Sequence, residues 1–267
     1  MHVSSGTVQS EMKHLFAPDG EAALIATMAL RPLLAFDFDG TLAPIVARPD
    51  DARVSQAVAR RLDRLSATLP LAIISGRKVA DVRTRLAFEP RYIIGNHGAE
   101  DPSVAVPVDR SRTFDALRER LREHAIELEA AGVGVEDKQQ SFALHYRLSR
   151  DREKAYRLIT HLLSGLGPEV EMFGGKMVVN VVAAASPDKA DALARLLRRS
   201  GARSAVFVGD DFNDEPVFAR AQTSWLTVRV GRDDPTSQAM FCLDNFAEVA
   251  SMLDRMLAVL DDLNAPV

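Results

Sequence analysis

The sequence predicts an α/β protein in which a doubly wound parallel sheet forms the core and a smaller α+β cap is inserted into it. Short apolar runs alternate with amphipathic helical segments in both outer parts of the chain, which is typical of a parallel sheet. In the middle of the chain the order becomes helix, strand, strand, twice over (αββαββ). We therefore expect a flexible arm over 1–17, a core over 18–108 and 184–267, and a cap over 109–183.

The predicted core elements alternate between strand and helix from residue 33 onward. Strands that are buried on both faces are continuous apolar runs, whereas helices carry apolar residues three and four positions apart. In chain order, we predict strand 33–36, helix 55–67, strand 71–74, helix 78–86 and strand 92–94, and then helix 188–199, strand 205–208, helix 213–220, strand 226–230 and helix 246–260.

The predicted cap contains two helices and two strand pairs: helix 113–130, strands 133–136 and 141–148, helix 152–163, and strands 169–173 and 177–182. Alternation along 142–148 separates an apolar face from a polar face. We expect the helices to cover the apolar face, so that the polar face looks toward the core; a solvated outer face would show the same pattern. The apolar face carries Phe142, Leu144, Tyr146 and Leu148, and the polar face carries Ala143, His145 and Arg147.

Composition and charge favour a globular protein with a small-molecule partner. The chain has 267 residues, of which 47% are hydrophobic, enough for a sizeable core. Lys plus Arg number 33 against 37 for Asp plus Glu, with no basic run, so nucleic acid is not an expected partner. No segment approaches the roughly 20 apolar residues that span a membrane. The oligomeric state stays open, with a monomer as one option.

Cysteine usage and the N-terminal region favour a reducing, cytoplasmic location. Cys242 is the single cysteine, lies in an apolar segment and cannot form an internal disulfide, so we expect a small buried hydrophobe. The first 21 residues lack a basic start and a small-residue cleavage site, and we therefore expect no secretory signal.

Polar residues follow several of the predicted core strands at the point where each strand ends. Asp37 and Asp39 come directly after strand 33–36, Ser75 follows strand 71–74, and Asp210 follows strand 205–208, while Lys189 opens a helix. A doubly wound sheet brings the carboxyl ends of its strands together. Buried carboxylates cost several kcal/mol unless a cation or hydrogen bonds offset them, so we expect a metal there. A turn built from Asp, Gly and Thr is the alternative interpretation.

These residue types fit phosphoryl transfer, which needs a nucleophile, a divalent cation and fixed donors around the phosphate. We assign Asp37 as the nucleophile that forms an aspartyl phosphate and Asp39 as the general acid and base. Carboxylate oxygens suit Mg²⁺, for which we predict Asp37, Asp39 and Asp210 as ligands. Either Asp211 or Asp214 is expected to support that shell. The predicted phosphate-binding residues are Thr41, Ser75, Gly76 and Lys189.

At these positions the chain resembles the haloacid dehalogenase (HAD) superfamily of aspartate-nucleophile phosphatases. All four motifs of the superfamily have a counterpart, namely DFDGT at 37–41, Ser75, Lys189 and GDDFND at 209–214. More narrowly, IISGR at 73–77, NHGAE at 96–100, VEDK at 135–138 and HYR at 145–147 are similar to trehalose-6-phosphate phosphatases. This resemblance covers nearly the whole chain after residue 33. It implies a HAD-like core with a cap that encloses a sugar phosphate.

The resemblance implies hydrolysis of trehalose 6-phosphate to trehalose and phosphate, with the sugar held by cap and core residues together. Two positions depart from the family pattern: Asn180 stands where a glutamate is usual, and Lys189 is followed by Ala190 instead of glycine. An amide only partly replaces a carboxylate as an acceptor for a sugar hydroxyl. The predicted substrate-binding residues are Arg77, Glu100, Glu136, Lys138, His145, Arg147, Lys176 and Asn180.

Other functions stay open at this point. Sucrose phosphate, glucosylglycerol phosphate and mannosylglycerate phosphate would use the same core chemistry. A non-catalytic sugar-phosphate sensor is a second class, but it would have no use for a nucleophile beside an acid and would bear the like-charge cost of Asp37 and Asp39 without benefit. A phosphomutase is a third, and the sequence shows no second phosphate site.

Overall fold

A computed structural model of the chain describes residues 12–46, 48–104 and 110–265. Its core is a six-stranded parallel sheet with the strand order β10-β9-β8-β1-β2-β3. The strands are β1 (Leu33–Phe36), β2 (Leu71–Ile74), β3 (Tyr92–Ile94), β8 (Ala205–Gly209), β9 (Leu226–Val230) and β10 (Phe241–Leu243). The predicted parallel α/β core is confirmed.

Helices cover both faces of this sheet, which is why β1 and β2 are apolar throughout. β9 is buried as well, although it contains Thr227 and Arg229. In β1 the side chains alternate: Leu34 and Phe36 pack into one apolar cluster, and Leu33 and Ala35 pack into another on the opposite face. The helices that flank the sheet are α1 (Pro18–Ala29), α2 (Gln56–Ser66), α3 (Val79–Arg85), α7 (Lys189–Ser200), α8 (Glu215–Ala219) and α9 (Glu248–Asn264). Within the described ranges, no helix has the length and apolar character to cross a membrane.

The cap is a four-stranded antiparallel sheet, in the order β4-β5-β7-β6, covered on one face by helices. Phe142 and Leu144 pack with those helices in a separate apolar cluster, as the strand alternation predicted. The residue bounds of the predicted domains stay a prediction. The cap elements are α4 (Asp115–Glu123), α5 (Ala125–Ala130), β4 (Gly134–Asp137), β5 (Ser141–His145), α6 (Arg152–Leu163), β6 (Val170–Gly175) and β7 (Val178–Ala183).

Two predicted helices are interrupted in the structure. The helix predicted over 113–130 is a 3-10 turn, Arg110–Phe114, followed by α4 and α5, which meet at His124. The polar His124 falls where the buried stripe of that helix needs an apolar residue. The helix predicted over 213–220 begins as a 3-10 turn, Phe212–Asp214, and α8 is only five residues long. A capping box between Asp211 and Asp214 fixes that turn.

The strand predicted over 141–148 ends at His145, because the chain turns immediately afterwards. The Ser149 backbone N–H donates to the Tyr146 carbonyl oxygen at 3.1 Å, closing that turn. Leu148, which we expected on the apolar cap face, is instead 66% exposed. The predicted faces therefore hold through Tyr146 and Arg147, and the prediction is wrong for Leu148.

The sequence analysis did not predict α1 or β10, and both lie beside the expected flexible arm. Residues 1–11 of that arm lie outside the described residues. The remainder is ordered: the Leu15 N–H donates to the Cys242 carbonyl at 2.8 Å, and the Cys242 N–H donates to the Lys13 carbonyl at 2.9 Å. Leu15 is fully buried in the apolar cluster that also receives α1 and α9. Cys242 is itself buried, as predicted.

We predict that Leu15→Ala lowers the free energy of unfolding by about 2–5 kcal/mol, the usual cost of emptying a filled leucine site. Urea denaturation at fixed pH measures the change. Leu30→Ala is the control, since Leu30 at the end of α1 is 57% exposed. Equal, small losses for the two variants would show that residues 12–17 do not contribute to the core.

Candidate active site

The polar residues predicted at the strand ends come together at one edge of the core sheet. β8, β1 and β2 are neighbours, so Asp210, Asp37 and Ser75, which directly follow them, lie side by side. The Asp37 backbone N–H extends the pairing of β1 with β8 by donating to the Val208 carbonyl at 2.8 Å. Lys189 reaches the same edge as the first residue of α7.

Lys189 lies between two buried carboxylates. Its ammonium group donates to Asp37 Oδ1 and to Asp214 Oδ1, each at 2.7 Å. Asp214 Oδ2 accepts the backbone N–H groups of Asp210 and Asp211, each at 3.0 Å. Both oxygens of Asp214 therefore accept hydrogen bonds, and the ammonium group of Lys189 fixes the orientation of Asp37.

Burial and mutual repulsion disfavour ionisation of the carboxylates at this edge. Burial raises the pKa of Asp37 well above its usual value, against the opposing charge of Lys189. Burial likewise raises the pKa of Asp210 to about 7, although Lys176 acts in the opposite direction. Burial opposes the charge on Lys189, but Asp214 and Asp37 outweigh it and raise the Lys189 pKa. Added positive charge would stabilise both carboxylates in their ionised form.

Asp39 lines the same cavity as Asp37, and its carboxylate is held by Arg77. The Arg77 guanidinium binds both oxygens of the Asp39 carboxylate, with N–O distances of 2.7 Å. A third nitrogen of Arg77 binds Asp81 at 2.9 Å. Such a two-point contact fixes the orientation of a carboxylate more tightly than a lysine would.

The structure groups the carboxylates differently from the predicted metal ligands. Asp37, Asp210 and Asp214 each offer an oxygen within 4.8 Å of the others. The side chain of Asp39, which we predicted as a ligand, is not part of this group because Arg77 engages both of its oxygens. Of the two candidates for the outer shell, Asp214 belongs to this group, whereas Asp211 accepts a hydrogen bond from the Phe212 N–H.

The cap contacts the core directly above this edge. Lys138 donates to the Gly76 carbonyl oxygen at 2.8 Å, and Ser141 donates to Asn96 Oδ1 at 3.1 Å. The ammonium group of Lys176 lies 2.8 Å from Asp210 Oδ2. A partly open cavity of about 450 Å³ lies between cap and core beside these contacts.

Most of the predicted site residues line this cavity, and the polar cap face does look into it. Four lie elsewhere. Thr41, Ser75 and Lys189 lie buried at the strand ends behind the cavity wall. Glu100 accepts the Val79 N–H and the Asn96 side-chain amide, so it braces the loop that carries Asn96. The predicted residues on the wall are Asp37, Asp39, Gly76, Arg77, Glu136, Lys138, His145, Arg147, Lys176, Asn180 and Asp210.

His97 and Asn213 also line the cavity, and the sequence analysis assigned neither to the site. Burial, together with the charges of Lys138 and Lys189, holds the pKa of His97 well below its usual range, so the ring is neutral. Among the described residues, neither nitrogen of the ring completes a hydrogen bond. The sequence feature that could have pointed to His97 was its position in the NHGAE segment.

Solved structures with this architecture define the class of protein. A haloacid dehalogenase-like hydrolase from Bacteroides thetaiotaomicron superposes with a TM-score of 0.60 at 16% identity, covering 84% of this chain and 99% of that one. The C-terminal domain of Candida albicans trehalose-6-phosphate phosphatase gives 0.77 at 22% identity, covering 92% and 98%. The chain therefore has the fold of a HAD-like hydrolase.

The sequence comparisons identify the family within this class. The family model described as trehalose-phosphatase matches residues 35–239. A probable trehalose-phosphate phosphatase of Sinorhizobium fredii is 35% identical over 216 residues, which are 78% of this chain and 80% of that protein. The chain belongs to the trehalose-phosphatase family.

Several relatives are longer than this chain. The chain spans 62% of the trehalose-phosphate phosphatase of Mycolicibacterium paratuberculosis, to which it is 33% identical. It spans 19% of a Mycobacterium tuberculosis protein described as an uncharacterized glycosyl hydrolase, at 31% identity.

We predict that Lys189→Met lowers the free energy of unfolding by about 3–5 kcal/mol in the presence of a chelator, because it leaves buried carboxylates without their cation. Urea denaturation at pH 8 measures the loss. Lys154→Met, on the exposed face of α6, is the matched control and should change stability little. Adding Asp37→Asn to Lys189→Met should recover part of the loss; no recovery would mean that the charge of Asp37 is not what Lys189 balances.

Proposed function

We propose that the protein is a Mg²⁺-dependent phosphatase that hydrolyses trehalose 6-phosphate to trehalose and phosphate through an aspartyl phosphate on Asp37. The observation that carries this proposal is the position of Asp37 in the wall of the cavity between cap and core, oriented by Lys189 and adjacent to two further buried carboxylates. Membership of the trehalose-phosphatase family supports the same chemistry.

The residues at the strand ends fit a magnesium ion. Asp37, Asp210 and Asp214 provide oxygen atoms only, which is the chemistry that Mg²⁺ prefers. Within the described part of the chain, Asp210 Oδ1 is buried without a hydrogen-bond partner, and so is Asn213 Oδ1. An unpartnered buried carboxylate oxygen is costly unless a cation binds it. Asp37 and Asp210 would hold the ion, and a bound ion would neutralise charge on the phosphate oxygens.

In the proposed reaction, a carboxylate oxygen of Asp37 attacks phosphorus while the bond from phosphorus to the sugar oxygen breaks. Asp39 gives a proton to the departing sugar oxygen and then takes one from the water that attacks the aspartyl phosphate. The second attack releases phosphate and restores Asp37. Because Arg77 donates to both Asp39 oxygens, this contact must open at one of them before Asp39 can carry the proton.

The groups around Asp37 would hold the transferring phosphate. Thr41 Oγ1 is buried and, in the residues that the structure describes, has no hydrogen-bond partner, so it is available to donate. Lys189 supplies a fixed positive charge beside Asp37. Gly76 allows the His97 ring to lie directly against its backbone, since a Cβ atom there would lie 2.4 Å from that ring.

The cap would bind the sugar rings that lie farther from the phosphate. Glu136, Lys138 and His145 project from neighbouring cap strands into the cavity, and Glu136 accepts from His145 at 3.2 Å. These groups supply hydrogen-bond acceptors and donors for hydroxyl groups. Asn180 lies in the same wall, at the position where the family pattern has a glutamate.

The experiment that tests the reaction measures phosphate release from trehalose 6-phosphate, other disaccharide and monosaccharide phosphates, and an aryl phosphate. Exhaustive chelation should abolish activity, and Mg²⁺ should restore it. Asp37→Asn should abolish turnover at every Mg²⁺ concentration, because an amide cannot form the acyl phosphate.

The folded state of Asp37→Asn, checked by circular dichroism, controls for loss of structure. Substantial phosphate release by the folded variant would refute the nucleophile assignment. A preference for a different sugar phosphate in the panel would refute the substrate and leave the reaction class intact.

We predict that Glu136→Ala reduces kcat/KM for trehalose 6-phosphate about 10-fold or more, the effect of roughly 1.4 kcal/mol of lost transition-state binding. An aryl phosphate, which is too small to reach the cap, should react at a nearly unchanged rate. Glu127→Ala, on the exposed side of the cap helix α5, is the matched control. Equal losses for both substrates would assign Glu136 a structural role.

A further inference from the structure

We propose that Lys176 makes cap closure over a bound divalent cation depend on a phosphate group, because its ammonium group and the cation compete for Asp210 when no phosphate group lies between them. This inference rests on the proposed cation site. It concerns a different property, which is the order in which cation, phosphate and cap come together.

Lys176 lies at the tip of the hairpin that joins β6 to β7, and this tip is the part of the cap that touches the carboxylate cluster. The ammonium group is 2.8 Å from Asp210 Oδ2 and 3.4 Å from Asp233 Oδ2. The Lys176 backbone N–H also donates to Asp211 Oδ2 at 3.3 Å. Closure of the cap therefore brings a positive charge directly onto one of the proposed cation ligands.

Asp210 is shared between this lysine and the cation site. Its Oδ2 atom binds Lys176, while its Oδ1 atom has no hydrogen-bond partner among the described residues and lies in the cluster with Asp37 and Asp214. Two cations on one carboxylate repel each other, and the buried surroundings screen that repulsion poorly. Cap closure through Lys176 and cation binding at Asp210 should thus oppose each other in the free enzyme.

Asp233 gives Lys176 a second acceptor outside the cluster. It follows β9, is 55% exposed and is held by Arg229 at 3.3 Å. The ammonium group can therefore leave Asp210 for Asp233 when a cation binds. Loss of Asp233 should leave Lys176 on Asp210 and increase the competition.

A phosphate group changes the sign of this coupling. Placed beside Asp37, its negative charges attract the cation and the Lys176 ammonium group together. Closure is then favoured once both cation and phosphate are present, whereas without phosphate the cation and the Lys176 ammonium group repel each other. The cap would close over a loaded site in preference to a site that holds the cation alone.

Calorimetric titration of the full chain with Mn²⁺ tests the competition without any measurement of activity. In the absence of phosphate, Lys176→Met should bind Mn²⁺ about 10-fold more tightly than the unmodified protein, within the usual range of coupling between two sites. With saturating inorganic phosphate, that gain should disappear or reverse. Lys154→Met removes the same charge from a distant cap helix and should leave the affinity for Mn²⁺ unchanged.

Asp233→Asn should weaken Mn²⁺ binding several-fold in the unmodified background and have little effect in the Lys176→Met background, since the two residues act through one contact. Lys176→Gln serves as a second variant if Lys176→Met unfolds. Equal Mn²⁺ affinity for a folded Lys176 variant and the unmodified protein overturns the inference while leaving the proposed reaction intact. If the unmodified protein fails to bind Mn²⁺, or if Asp210→Asn binds it equally well, both the cation site and this inference are wrong.

Discussion

The buried ammonium group of Lys189 is the interaction on which the rest of the site depends. It lies between Asp37 and Asp214 at the edge of the sheet, where burial raises the pKa of Asp37 and favours its neutral form. The helix that carries Lys189 is fixed by a capping box between Asp188 and Asp191. Helix placement, sheet order and nucleophile orientation are therefore one connected arrangement, because moving α7 would leave uncompensated charge at the ends of β1 and β8.

Much of the core fold was predictable because its strands are buried on both faces. The bounds of β1, β2, β3 and β9 agree with the predicted strands. In β1 and β2 a continuous apolar run ends where the chain leaves the sheet, whereas β9 also buries Thr227 and Arg229. β10 was not predicted, because it is short and its pairing is not local in the sequence. It is a three-residue strand at the sheet edge, and part of its pairing comes from residues 13–15, which lie more than 220 positions away in the sequence. A local pattern contains no record of such a contact.

Site residues were predictable where their position follows from the end of a strand. They were less predictable where their orientation depends on a side chain that is distant in the sequence. Asp37 and Asp210 meet because β1 and β8 are neighbours in the sheet. The orientation of Asp39 depends on Arg77, a residue 38 positions away, and the sequence does not say which of several acidic groups an arginine will choose. Glu100 was expected to meet substrate but supports Asn96, while the packing that places a neutral His97 in the cavity arises only after cap and core meet.

Gly40 determines how closely the loop after β1 approaches Asp210. Its φ of +82° lies in the left-handed region, and a Cβ atom there would lie 2.1 Å from Asp210 Oδ2. The Gly40 backbone therefore lies directly against the Asp210 side chain, and no side chain at residue 40 lies between them to change that spacing. This rigidity belongs to the core alone. The cap meets the same carboxylate oxygen through the long side chain of Lys176, so the core loop fixes the position of the group on which the cap docks.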